Sequence, residues 1–482
     1  MDPQIRKLGV VLLVMFLALF VKLNDLQVVR AERLANAPGN TRQATRDFSR
    51  ERGVIQTADG AIVAESVDVD TAFERQRRYP EGELFAHIGG YFSFTYGTEG
   101  VERTYASDLA GRSVALRRLT DVLSERVRTG NVTLTVSKGL QQVARDALGA
   151  RRGAVVAINP TDGAILAMWS FPSFDPNPLA AHDQAAVQAS WDQLQDDAAK
   201  PMLPRAYRRN YAPGSTFKVV TAAAALDRRP DLVAKAYPPL RELDLPQTDA
   251  NLPNFGNSTC GGPLPELLRV SCNTGFAQMG LDLGAADLAA EAADFGFRSR
   301  PPLDLPAPAT SVFPEADEFA RDQPGLAKSA IGQEDVASTP LQMALVAAGI
   351  ANGGVVMKPH VMAEIRDDQG ELVRTYEPEP WMRAVSPESA AALRDMMVQV
   401  VARGTAGRAA VPGVTVAAKT GTAQTVGDNS HAWLIGFAPA EAPRVAVAVI
   451  VESQPGLGDT VTGGRIAAPI AQAVLKAALG TP

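Results

Sequence analysis

The sequence is poor in the groups that most often announce a function. It has only two cysteines, Cys260 and Cys272, in 482 residues, which excludes a disulfide-dense scaffold. Its four histidines are scattered, and no Cys/His cluster has zinc spacing, so neither a metal nor a cofactor is expected. No Gly-x-Ser-x-Gly elbow is present to pair with a histidine in a hydrolase triad. The net charge is −6. Without a basic excess to hold phosphates, nucleic acid is not an expected partner, and clusters such as Arg75-Gln76-Arg77-Arg78 read as solvated faces. Internal repeats are absent, and the one compositional bias, towards alanine, reflects helix propensity. What remains is 46% apolar and 21% charged, the profile of a globular chain with room for two to four domains.

One apolar run stands out. Arg6-Lys7 precede Leu8 to Val21, which carries no charge. Lys22 can snorkel, and Leu23 with Leu26 to Val29 can extend the apolar length towards the about 20 residues a span needs. A membrane anchor over 8–29 is expected, with residues 1–7 as a tail on the cytoplasmic side, because the flanking bases stay inside. A cleaved signal peptide, with Ala35-Asn36-Ala37 as its small-residue site, and a buried core helix are the alternatives. An oxidising exterior would permit a disulfide between Cys260 and Cys272, with free thiols as the other reading.

Residues 30 to about 45 read as a polar linker. Beyond it, Val54-Ile55, the turn at Asp59-Gly60 and Ala61 to Ala64 predict a hairpin, and Val132 to Val136 alternates as a strand does. Residues 30–150 are therefore expected to form a small, mostly β pedestal. Gly153 to Pro160 and Gly163 to Met168 predict a second hairpin that starts a new sheet. Ala-rich helices over 219–226, 274–283, 341–351, 388–401 and 466–479 then precede or flank a late strand over 445–452. Helices inserted between early and late strands predict an α+β domain over 151–482, with one sheet built from both ends of the segment.

The chemistry lies in three short motifs. Pro213-Gly214 leads into Ser215, and the helix former behind it places Ser215 near a first helical turn. Lys218, three residues on, shares that face. A serine hydroxyl needs a base to take its proton, and a lysine serves only when neutral. Burial and a second cation both favour the neutral form. The helix N-terminus offers N–H groups and positive potential to an oxyanion. A Ser-x-x-Lys pair alone occurs by chance about once in such a chain. Here Ser271-Cys272-Asn273 and Lys419-Thr420-Gly421 follow it in order, the set known from penicillin-binding proteins and serine β-lactamases.

With these residues in view, the chain resembles a class B penicillin-binding protein, a monofunctional D,D-transpeptidase, and among these the short PbpA-type members. Arg52-Gly53-Val54-Ile55 and Gly97-Thr98-Glu99-Gly100-Val101-Glu102 look like the family's pedestal. Ser170 to Asn177 looks like its lead-in, and Gly332-Gln333, Ser338 to Ala344 and His431-Ala432-Trp433 also fit. Pro204-Arg205-Ala206 departs from the Asn-Arg-Ala expected before the serine. The resemblance implies an antiparallel sheet with helices and, by matched position, a nucleophile at Ser215 and a base at Lys218. It implies a proton relay at Ser271, an orienting amide at Asn273 and a cation at Lys419. Thr420, Gly421 and Thr422 would bind substrate or β-lactam, and the backbone N–H groups of Ser215 and Thr422 would form the oxyanion hole. Implied partners are D-Ala-D-Ala donor and amine acceptor stem peptides, β-lactams, the membrane and a polytopic SEDS-type glycan polymerase of the RodA/FtsW kind.

Each residue has a plainer reading. Ser215 is also a favoured helix N-cap, and Ser271 and Asn273 suit caps of the next helix. Lys419 suits a surface strand. A bridge from Cys260 to Cys272 would contribute about 3 kcal/mol in the chain-entropy model and would fix the loop carrying Ser271 and Asn273. The rival functions are a β-lactamase or carboxypeptidase, a penicillin sensor and a division scaffold. The anchor and pedestal argue against a secreted hydrolase. A sensor would need several spans or a cytoplasmic effector, and a scaffold would not need the intact motifs.

Overall fold

A computed structural model describes residues 3–26, 48–71, 73–111, 129–424, 430–453 and 462–481. The expected linker and the Ala35-Asn36-Ala37 segment lie outside the described residues, as do residues 27–29 of the expected anchor. The chain divides into two compact units. One comprises Met1–Glu51 with Val67–Gln76, and the other Arg52–Ser66 with Arg77–Pro482.

In the first unit the helix Pro3–Asn24 has 22 residues and none buried. Its most apolar stretch has a mean hydropathy of 2.1. At 1.5 Å per residue it is about 33 Å long, enough to cross a hydrocarbon core. It begins ahead of Arg6-Lys7, so most of the expected tail is helical.

Two multi-stranded sheets frame the second unit. One is five-stranded and antiparallel, in the order Ala417–Gln424, Ser430–Ala438, Val445–Val451, Gly153–Ile158, Ile165–Phe171. Its strands come from both ends of the segment, as the inserted helices predict. Every residue of Gly153–Ile158 and Val445–Val451 is buried, which explains their unbroken apolar runs: a strand covered on both faces has no polar alternation. Helix Pro340–Ala351 packs on these two central strands, while Lys138–Leu148 and Ala468–Leu479 pack together against the sheet. The strand Ala417–Gln424 is left at an edge.

The other, six-stranded sheet begins with the expected hairpin. Ile55–Gln56 pairs antiparallel with Ile62–Asp68 and parallel with Gly130–Leu134. The last strand starts two residues earlier than its alternation suggests. Its other edge pairs with Met362–Asp367, which pairs in turn with Leu372–Thr375. This contribution from far along the chain is announced by no local feature of the sequence.

One expectation is corrected here. The arginine cluster is not wholly a solvated face. Arg78 is exposed and pairs with Glu65, but Arg77 is 3% exposed. Strand alternation turns Arg77 inward, where its Nε donates to Glu102 Oε1 at 2.6 Å. Arg52 donates to Glu102 Oε2 at 2.6 Å and to the Glu102 carbonyl at 2.7 Å. The Arg-Gly and Gly-x-Glu motifs are thus two ends of one buried ion-pair cluster.

Candidate active site

Ser215 sits in a short 3₁₀ turn, Gly214–Thr216, that runs into the helix Lys218–Arg228. Gly214 has φ +53°, and a Cβ there would lie 2.9 Å from the Thr422 carbonyl. Only glycine tolerates both the conformation and the approach. The edge strand therefore lies directly against the serine turn. Gly421 meets it from the other side: a Cβ at 421 would fall 2.9 Å from the Pro213 carbonyl and 3.0 Å from Thr216. Packing against the turn is thus a demand on Gly421 separate from any need to admit a substrate strand.

The Ser271-Cys272-Asn273 motif is the joint between helix Leu264–Val270 and the long helix Asn273–Asp294. Ser271 ends the first helix in the left-handed conformation, φ 60° and ψ 42°. A non-glycine residue held this way stores strain, a feature that clusters at functional sites. Cys272 is bonded to Cys260, with Cα atoms 5.8 Å apart, so the bridge reading holds and the free-thiol reading does not. Neither Ser271 nor Asn273 caps the long helix. Asn254 does so from a separate loop: its Oδ1 accepts from the N–H groups of Asn273 at 2.9 Å and Thr274 at 3.0 Å. The Asn273 side chain donates to the Pro253 carbonyl at 3.0 Å. Asn254 escapes a sequence reading because no motif or spacing ties it to the helix it caps.

The three motifs converge. Lys218 Nζ donates to the Ser271 carbonyl at 2.7 Å and to Asn273 Oδ1 at 2.7 Å, with Ser271 Oγ at 3.5 Å. Lys419 Nζ donates to Ser271 Oγ at 2.8 Å and to the Thr420 carbonyl at 2.8 Å. Thr420 Oγ1 and Thr405 Oγ1 share a hydrogen bond of 2.6 Å. Ser215 itself is half-buried beside this cluster. Its position three residues before Lys218 suggests a direct bond to the amine, yet the bonds of Lys218 run to Ser271 and Asn273. Hydrogen bonds of a free enzyme's nucleophile are often long and tighten with substrate.

The electrostatics follow from burial. Both lysines are fully buried, and neither has a carboxylate partner in the hydrogen bonds above. Burial first, and the Lys419 cation second, hold the Lys218 amine well below its usual range. Burial pushes Lys419 down to about 7. Both expected causes act on Lys218, and the dry site does more than the neighbouring charge. A neutral amine has two N–H donors and one lone pair. The two 2.7 Å bonds occupy both donors and leave the lone pair to accept a proton.

Two family models match the chain. The penicillin binding protein transpeptidase domain covers residues 153–476, and the penicillin binding protein A dimerisation domain covers 52–132. The chain is 42% identical over 500 residues to the peptidoglycan D,D-transpeptidase PbpA of Mycolicibacterium smegmatis, with 99% of each chain covered. It is 39% identical to the PbpA of Mycobacterium tuberculosis, again with 99% of each covered. Its fold matches the penicillin G acyl-enzyme complex of penicillin-binding protein A from M. tuberculosis with a TM-score of 0.81 at 39% identity, covering 89% of this chain and all of that one. Motifs, site geometry and these matches agree, and the chain belongs to the penicillin-binding protein transpeptidase family, as a class B member of PbpA type.

Proposed function

We propose that the protein is a serine D,D-transpeptidase that cross-links peptidoglycan stem peptides through an acyl-enzyme on Ser215. The observation that carries this reading is the state of Lys218: dry, beside a second lysine, and with both N–H donors engaged. As Ser215 Oγ attacks the carbonyl carbon of the penultimate D-Ala, its proton passes to the Lys218 amine. The oxyanion is met by the backbone N–H groups of Ser215 and Thr422. Collapse expels the terminal D-Ala amine. Its proton comes through Ser271 Oγ, which lies between the two lysine amines at 3.5 and 2.8 Å. Asn273 orients Lys218 and the substrate amide. Lys419 and Thr420 hold the donor carboxylate, which favours the charged form of Lys419. The donor strand lies along the Ala417–Gln424 edge, where unpaired backbone groups accept an added strand. An acceptor amine then attacks the ester, forms the cross-link and returns the serine.

The apolar helix anchors the chain with its N-terminus in the cytoplasm and the catalytic part outside. Glycan polymerisation is left to a polytopic partner, and the cross-linking serves division or growth. β-Lactams resemble the D-Ala-D-Ala end and acylate Ser215. The test is labelling by a fluorescent penicillin, with Ser215→Ala as control. Stable, Ser215-dependent label is expected. Label that survives Ser215→Ala would overturn the assignment, and rapid release would point to a hydrolase.

A further inference from the structure

We infer that Glu452, just past the central strand Val445–Val451, is a positioning residue for Ser215 and acts through Tyr211. The inference rests on the acyl-enzyme reading above and adds a residue that none of the three motifs contains.

Glu452 is 3% exposed, and its backbone N–H donates to the Arg152 carbonyl at 2.7 Å. Its Oε1 accepts from the Tyr211 hydroxyl at 2.7 Å and from Arg205 Nε at 2.9 Å. Arg209 approaches Oε1 at 3.4 Å and Arg152 approaches Oε2 at 3.7 Å. Arg205, equally buried, also donates to the carbonyls of Lys200 and Ala199 at 3.0 and 2.5 Å. One carboxylate thus gathers the segment before the serine, the serine loop and the end of the central strand.

A buried ion pair is a weak device for stability, since apolar residues of the same shape often do as well. What it supplies is a fixed place for each partner. Tyr211 is the partner that matters, because it opens the five-residue run that ends at Ser215. Its backbone pairs both ways with Ser338, at 3.0 and 2.8 Å. Its ring stands edge-on to His431 and Trp433. Those two residues lie opposite Ala423 and Gly421 in the sheet, and the Trp433 indole donates to the Ala212 carbonyl at 3.0 Å. Tyr211 therefore seats the serine loop on the strand that pairs with the Lys-Thr-Gly edge, and Glu452 holds its hydroxyl end. The electrostatics keep the contact intact. Burial alone would push the Glu452 carboxyl up, but the Tyr211 hydroxyl, Arg209 and Arg205 outweigh it and hold the carboxyl below its usual range. Burial and the carboxylate push the Tyr211 phenol above its own range, so it remains a donor.

The test uses the purified full chain and benzylpenicillin. The encounter affinity and the acylation rate constant are measured separately on enzyme titrated for active sites. Tyr211→Phe removes only the hydroxyl. Glu452→Gln keeps an acceptor oxygen and the shape but removes the charge. Displacing a nucleophile by about 1 Å costs on the order of 100-fold. We therefore expect acylation slowed about 10-fold by Tyr211→Phe and about 10- to 100-fold by Glu452→Gln, with encounter affinity within about twofold. The double variant should be no slower than the slower single, because both act along one path. An unchanged acylation rate constant in Tyr211→Phe, with only the melting temperature lowered, would overturn the inference. Multiplicative losses in the double variant would also overturn it. Should Glu452→Gln not fold, Tyr211→Phe alone decides. A wild type that is not acylated at all would instead sink the acyl-enzyme reading, and this inference with it.

Discussion

Two buried charge clusters in this molecule use the same expense in opposite ways. Near the start of the chain, Glu102 lies between two arginines, Arg52 and Arg77, each at 2.6 Å. Burial pushes its carboxyl up, but Arg77 and Arg52 overcome that and hold it below the usual range. At the candidate active site, Lys218 and Lys419 are equally buried but face carbonyls, an amide and a hydroxyl. No opposite charge stands among those partners to offset desolvation, so both amines drift towards neutrality. The partner decides the role. In these two clusters Glu102, with two arginines against it, is held in its charged form, whereas the lysines, with only neutral hydrogen-bond partners, are pushed towards the neutral form.

The comparison breaks first if Lys218 proves structural. Lys218→Met is expected to slow acylation about 10²- to 10⁴-fold, the usual worth of a general base. The variant should also melt at a higher temperature, because an apolar chain replaces a desolvated amine. Stopped-flow acylation and calorimetry check both, and a destabilised variant that still acylates would reverse the assignment. The next largest effect belongs to the other cluster. Glu102→Ala leaves two buried guanidiniums unpaired and should destabilise by about 3–5 kcal/mol. Acylation per folded molecule should be unchanged, as denaturant unfolding and active-site titration would reveal.

A third change separates covalent from electrostatic restraint. Replacing Cys260 and Cys272 together by serine opens a short loop and should cost about 3 kcal/mol. Part of the loss should appear in acylation, because Asn273 sits beside the bridge. A further difference lies in pH, where the clusters have opposite senses. The lowered Glu102 carboxyl contributes stability that is present above the ordinary carboxyl range and lost as pH falls through its folded value. Lys419 has a folded value of about 7 against 10.5 when free. Its burial cost is therefore fully present below pH 7 and disappears as pH rises from 7 towards 10.5. The melting advantage of Lys419→Met over wild type should shrink across that window. A gap that does not change with pH would mean that Lys419 is charged throughout, and that the two clusters differ less than their partners suggest.

Much of this molecule was legible in one dimension. Chemistry depends on residue types in order, so Ser215-x-x-Lys218, Ser271-x-Asn273 and Lys419-Thr420-Gly421 could be recognised without a fold. Unbroken apolar runs gave away the two central strands, and glycine turns gave away the hairpins, because periodicity and turn chemistry are local. The place of the hairpin Met362–Thr375 in the six-stranded sheet was not legible, since pairing between strands so far apart leaves no local trace.

Local order and periodicity therefore specify the three motifs, the apolar helix and the elements that carry them. What stands beside each charge is settled by the fold. Arg77 meets Glu102 across 25 residues, Asn254 caps the Asn273 helix across 19, and Glu452 reaches Tyr211 across 241. Those neighbours exist only once the chain has folded. They set the dielectric and the sign of the local field, and these push Lys218 towards its neutral form and keep Glu102 charged.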